Sequence, residues 1–146
     1  MKEKGKIINT DREIKSILEQ SRTVVVLGLS PKPERDSNKV AKYLQDEGYR
    51  IIPVRPGQKE LLGEKAYRTM DDIQGPVDII DAFRNADQIP SHVDEAIRLG
   101  AKVFWMQLGI RNEDAAKRLT EAGIDVVMDR CIKIDHMAFL KKKILV

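Results

Sequence analysis

Two apolar patterns alternate along the chain. The first is a short run of branched residues with no polar alternation, as in Thr23 to Gly28, which is how a strand buried on both faces reads. Tyr49 to Val54, Val77 to Ala82, Lys102 to Met106 and Ile124 to Met128 repeat it. The second is a stripe at helical spacing between those runs. Thr10 or Asp11 caps a helix with Ile14, Ile17 and Leu18 inward, and Asp36 or Ser37 opens one that buries Val40, Ala41 and Leu44 and closes at Gly48. Asn85 or Asp87 opens another, with Ile89, Val93, Ala96 and Ile97 inward, ending at Gly100. Asn112 caps a fourth over Ala115, Ala116 and Leu119, which Gly123 ends, and a last helix runs from about Ile132. Between the second and third strands, Leu61 to Gly63 and Ala66-Tyr67 read as short irregular pieces, and Thr69 as the cap of a small turn, Met70 to Ile73.

Strands alternating with helices of this length predict an α/β, Rossmann-like fold: a mostly parallel sheet of five or six strands with helices on both faces, because right-handed crossovers lay each helix against the sheet. A length of 146 residues fits one domain over residues 1–146, with residues 1–10 expected loose. Neither an internal repeat nor a linker interrupts it.

Charge changes the picture little. Lys and Arg number 26 against 23 Asp and Glu, a net charge of +3 with the signs interspersed, and aromatics make up 5%; this does not argue for nucleic acid. The longest apolar runs are far short of a membrane helix, and the start shows no secretory pattern, so a cytoplasmic location is expected. One cysteine, Cys131, and two histidines offer neither an internal disulfide nor a zinc site.

In such sheets ligands sit outside the carboxyl ends of the strands. There the first strand delivers Gly28-Leu29-Ser30-Pro31-Lys32-Pro33-Glu34-Arg35-Asp36-Ser37-Asn38 and leads into a helix. A helix start with free N–H groups, a glycine allowing close approach, the donors Ser30, Ser37 and Asn38, and the charges of Lys32 and Arg35 together suit a phosphate or pyrophosphate. The plainer alternative is a first βα loop that merely turns and solvates its cations. The dinucleotide pattern G-x-G-x-x-G is missing, as is the acidic residue that would hold a ribose after strand two, where Pro53-Val54-Arg55-Pro56 stands instead. That disfavours NAD, and Arg55 suits a phosphorylated ribose, as in NADP or coenzyme A. A P-loop pattern is also missing.

The run Val26 to Ser37, with Tyr43-Leu44, Gly48-Tyr49 and Pro53-Val54-Arg55-Pro56, resembles the small stand-alone CoA-binding domain proteins. So do Asp81-Ala82-Phe83-Arg84, Gly100-Ala101-Lys102, Trp105 to Ile110, and Val127 to Cys131 with His136. The resemblance covers about Ser21 to His136. It implies a fold similar to the amino-terminal domain of the succinyl-CoA synthetase α subunit. It also implies phosphates on Gly28, Leu29, Ser30, Lys32, Arg35, Ser37 and Asn38, and a nucleotide bordered by Pro53, Val54 and Arg55. Phe83 and Arg84 would lie beside the ligand, with Trp105, Gln107 and Gly109 along the far side of the crevice. The family more often has Asn where Arg55 stands. Ligase activity does not carry over, since the phosphohistidine parts of the ligases have no counterpart here.

The expected function is therefore binding of coenzyme A or an acyl-CoA, as a carrier, sensor or partner-dependent module without complete catalytic machinery. The alternative is an NADP-linked or acyl-CoA-handling enzyme assisted by Cys131 or His136, and a third reading is a scaffold with a vestigial pocket. Cys131 is either a small buried apolar residue or, between Arg130 and Lys133, a thiol placed to react, for example in a mixed disulfide with the thiol of CoA. His136 fits a hydrogen-bonding role better than acid–base work, and His92 reads as a surface or packing residue inside a helix. A small-molecule nucleotide is the expected partner, with a homodimer or an unidentified protein partner besides; nucleic acid, membrane and metal are not expected.

Overall fold

The computed structural model describes residues 3–141. Five runs form one parallel sheet: β1 (Thr23–Leu27), β2 (Arg50–Val54), β5 (Val77–Ala82), β6 (Ala101–Met106) and β7 (Asp125–Val127), in spatial order β2-β1-β5-β6-β7. The short β3 (Glu60–Leu61) and β4 (Glu64–Lys65) make a separate antiparallel hairpin. Its two-residue turn, Leu62-Gly63, has both residues at positive φ (52° and 76°), the backbone a tight hairpin demands. The irregular pieces expected here are thus partly a hairpin, formed although Leu62 is not a turn residue.

Both faces of the sheet are covered, which explains why the strands carry no alternation. On one face α1 (Asp11–Gln20), α2 (Asp36–Asp46) and α5 (Ile132–His136) bury Ile14, Leu18, Val40, Ala41, Leu44 and Ile132 against Val24, Val26 and Ile79. On the other, α3 (Val93–Leu99) and α4 (Glu113–Glu121) bury Val93, Ala96, Leu99, Ala115, Ala116 and Leu119 against Ile80, Phe104 and Val126. Burial of a branched or aromatic side chain stabilises by about 1.5–3 kcal/mol, so these two layers are the main source of stability. Thr10 and Asn112 cap α1 and α4 as expected, accepting from Glu13 N–H (3.2 Å) and Ala115 N–H (2.9 Å).

Four local expectations are corrected. The helix expected from Asn85 or Asp87 begins instead as a 3-10 segment, Ala86–His92, because Pro90 lies within it and lacks the N–H an α-helix interior needs. Only from Val93 does α3 follow, and its seven residues expose Ile97 (38%) while Val93, Ala96 and Leu99 face inward. In α2 the capping position is Arg35, with no side-chain cap, so neither Asp36 nor Ser37 has that role. Residues 5–8, expected loose, are bonded to the far edge of the sheet. Ile8 N–H donates to Val126 (2.8 Å), Val126 N–H to Lys6 (3.0 Å), and Ile8 is buried. Residues 1–2 of that stretch, and 142–146 after the last helix, lie outside the described residues.

One buried group stands out. Asp81 in β5 is fully enclosed, with neither carboxylate oxygen hydrogen-bonded among the described residues. Burial alone pushes its pKa well above the usual carboxylate range, because desolvation penalises the charged form.

Candidate functional site

From β1 the chain passes to β2 on one side and then back across the sheet to β5, so the gap between β1 and β5 is the switch point where a crevice opens at the carboxyl ends. A cleft of about 900 Å³ lies there. Gly28 follows β1, Phe83, Arg84 and Asn85 follow β5, Gln107, Leu108 and Ile110 follow β6, and Cys131, Lys133 and Ile134 follow β7. The loop from Ser30 to Lys39 closes one wall, and Arg55 after β2 reaches it.

Backbone geometry shapes the loop. Gly28 has φ +87° and donates its N–H to Val54 (2.9 Å). A Cβ there would stand 2.6 Å from the Phe83 carbonyl oxygen, so only glycine lets the loop cross the end of β5. Beyond it the loop ties to itself: Ser30 N–H donates to Ser37 Oγ (2.9 Å), Lys32 N–H to Ser30 Oγ (3.1 Å), and Asn38 Nδ2 to the Ser30 carbonyl (2.9 Å). Ser37 and Asn38 are buried by these contacts. This explains the missing cap, since the Ser37 hydroxyl is used across the loop and the first N–H groups of α2 are left for something else.

Six cationic side chains line the cleft: Lys32, Arg35, Lys39, Arg55, Arg84 and Lys133. Asp36 is the one carboxylate among the lining residues. None of the six forms a salt bridge among the described residues, whereas Arg98, Arg118 and Arg130 hold Asp71, Asp94 and Asp135 at 2.9, 2.8 and 2.7 Å. Bonding to Asp135 and Asp11 also raises the pKa of Arg130. Unpaired cations gathered in a concavity make a strongly anion-attracting site.

A second lobe of about 410 Å³ shares Gly28, Arg55, Phe83 and Arg84 with the first, and adds Val54, Arg68 and the pair His92–Glu95. There His92 Nδ1 meets Glu95 Oε1 at 3.0 Å, while Glu95 Oε2 accepts from Met70 N–H at 3.2 Å. Buried Nε atoms of Arg84 and His92 (Nε2) have no partner among the described residues. His92 therefore borders a cavity, where the sequence suggested only a helix position.

Several residues expected along the crevice lie elsewhere. Leu29 is fully buried in the core beside α2, and Pro53 is buried within β2. Trp105 does not line the cleft: it is fully buried, and its indole N–H donates to the Arg130 carbonyl at 2.8 Å. Gly109 is not in the lining; its N–H bonds Asp129 Oδ1 at 2.6 Å. His136 sits behind the cleft, its Nδ1 2.7 Å from the Tyr43 hydroxyl, and burial lowers its pKa. Conversely, the fold brings in Lys39, Arg68, Lys133 and Leu108, none of them among the expected binding residues.

A doubly wound parallel sheet with a cationic cleft at its switch point is the α/β architecture in which ligands sit at the carboxyl ends of the strands. Residues 22–137 match the family described as CoA binding domain, and the chain belongs to that family. It is 47% identical over 124 residues to uncharacterized protein YneT of Bacillus subtilis (strain 168), covering 85% of this chain and 92% of the relative. Among solved structures, cell-free ID.343 from Thermus thermophilus is 40% identical with a TM-score of 0.86, covering 90% of this chain and 100% of that one. A hypothetical protein from Pyrococcus horikoshii OT3 is 39% identical with a TM-score of 0.86, covering 90% and 93%.

Proposed function

We propose that this chain binds coenzyme A or an acyl-CoA with its diphosphate against the loop from Gly28 to Asn38, as a carrier, sensor or partner-dependent module. The observation that carries the reading is the set of six lining cations without carboxylate partners among the described residues, beside the uncapped start of α2. Coenzyme A brings a diphosphate and a 3′-phosphate, and the cations divide accordingly. Lys32, Arg35 and Lys39 flank the loop for the diphosphate, Arg55 and Arg84 are joined by Arg68 around the smaller lobe for the nucleoside end, and Lys133 lies on the Cys131 side of the cleft. Family membership supports the cofactor class, and the cleft supports the place.

The test is thermal unfolding with CoA, acetyl-CoA, NADP, NAD and ATP. A ligand at a hundred times its dissociation constant stabilises by about 2.7 kcal/mol. CoA and acetyl-CoA are expected to raise the melting temperature, and NAD is not. A shift with NADP alone would favour a reductase, and no shift with either CoA form would sink the proposal.

A further inference from the structure

Cys131 is held in place from both sides by buried polar side chains. The carbonyl of Arg130 before it accepts from Trp105 Nε1 (2.8 Å), and the N–H of Ile132 after it donates to Gln107 Oε1 (3.1 Å). Its thiol, half-buried, lies in the lining of the main cleft. Gln107 is 6% exposed and also lines the cleft; with its oxygen committed to Ile132, its amide N–H₂ makes no hydrogen bond among the described residues. A nearly buried donor without an acceptor, opening onto a cleft, points to an acceptor on a ligand. The same wall carries Leu108 (63% exposed) and Ile134 (58% exposed), two large apolar side chains left uncovered beside the thiol. Apart from Lys133, this wall is apolar with one free amide donor and a thiol, and Lys32, Arg35 and Lys39 stand on the loop wall. A ligand with phosphates at one end and an amide-bearing, partly apolar arm ending in sulfur matches both.

We infer that Cys131 is a covalent capture site for the thiol end of CoA, acting by thiol–disulfide exchange with CoA disulfide. The inference rests on the CoA-binding reading above. With one CoA half seated, Gln107 Nε2 donates to an amide carbonyl of the pantetheine arm and sets the disulfide beside Cys131. The Cys131 thiol loses its proton to water, and its sulfur attacks the near sulfur of the disulfide. The S–S bond of CoA disulfide breaks as the new Sγ–S bond forms, and the second CoA leaves as thiolate and takes up a proton. One disulfide is consumed and one is formed, so no other oxidant enters.

Because Cys131 is the only cysteine in the sequence, intact-mass spectrometry of the reduced full chain reads the adduct directly. CoA disulfide is expected to label roughly tenfold or more faster than oxidised glutathione at equal concentration. Excess acetyl-CoA, which lacks a free thiol, should block labelling by CoA disulfide. Gln107→Glu keeps the acceptor for Ile132 N–H and loses the donor, and is expected to slow capture from CoA disulfide several-fold. Equal rates with the two disulfides, or no CoA adduct on a protein that calorimetry shows binding CoA, would overturn the capture site and leave the binding proposal standing. Absence of CoA and acetyl-CoA binding by calorimetry would overturn both.

Discussion

Replacing Gly28 by alanine probes the point where the loop, β2 and β5 meet. Two costs add. A non-glycine residue in the left-handed region costs about 1–2 kcal/mol, and φ +87° lies toward the unfavourable side of that region. The new methyl would also stand 2.6 Å from the Phe83 carbonyl oxygen and 3.2 Å from Cδ of Arg84. The side chain can swing away, but the carbonyl is fixed by the sheet, and overpacking of this kind costs about 1–3 kcal/mol. Alanine restricts the unfolded chain and returns about 0.4–1 kcal/mol. The net expectation is a loss of about 2–4 kcal/mol. Gly57→Ala separates the two terms, since Gly57 has a similar φ of +83° with nothing within 4 Å of the added carbon; it should lose about 1 kcal/mol. Urea unfolding followed by circular dichroism measures both, as a lowered midpoint at unchanged slope. If Gly28→Ala loses no more than Gly57→Ala, the close approach to Phe83 is not what requires glycine.

Other expectations are as direct. Arg35→Ala should weaken CoA binding by about 1.5 kcal/mol, roughly tenfold, as one charge-assisted contact on an exposed side chain is removed; unchanged affinity in calorimetry would move the phosphates off the loop. Burial lowers the pKa of His136 below its unfolded value of about 6.5. Its unfolded form therefore takes up a proton first as pH falls. The stability due to its neutral state is complete above about pH 6.5 and is lost progressively as pH falls below that toward the folded pKa. His136→Gln should flatten that part of the stability profile, and an unaltered profile would refute it. For Asp81 the sign is reversed: its folded pKa is raised, so its contribution is complete below about pH 3.9 and is lost as pH rises toward the folded value. Asp81→Asn should gain stability relative to the parent at pH 7 compared with pH 4, measured by the difference in urea midpoints.

The fold class could be read because each strand is a run of branched residues and each helix a stripe, and most breaks between them carry a capping or turn residue. The same full burial hid the direction of individual side chains. With both faces of the sheet covered, nothing in Ala101–Met106 marks which face Trp105 takes, and a glutamine two residues later was no guide to it. Ile97 misled because a seven-residue helix after a proline-bearing segment presents a narrower inner stripe than a longer one would. The loop from Gly28 to Asn38 was legible as a local motif. Lys39, Arg68 and Lys133 were not, because their grouping is produced by crossovers that bring distant segments to one end of the sheet.

Residues 5–8, bonded along the outer edge of β7, have a consequence for the behaviour of the chain in concentrated solution. An uncovered parallel edge offers a row of free amides and carbonyls on which a neighbouring molecule can add a strand. Here that edge is occupied from within, by Ile7 bridging Val126, while at the opposite edge Tyr67 bridges Val54 beyond β2. Neither border of the sheet is left open along its whole length as a template for another copy. Cutting the chain after Ile8 would remove one of these covers, and association of copies through the bared edge, ahead of any loss of secondary structure, is the form the damage would take.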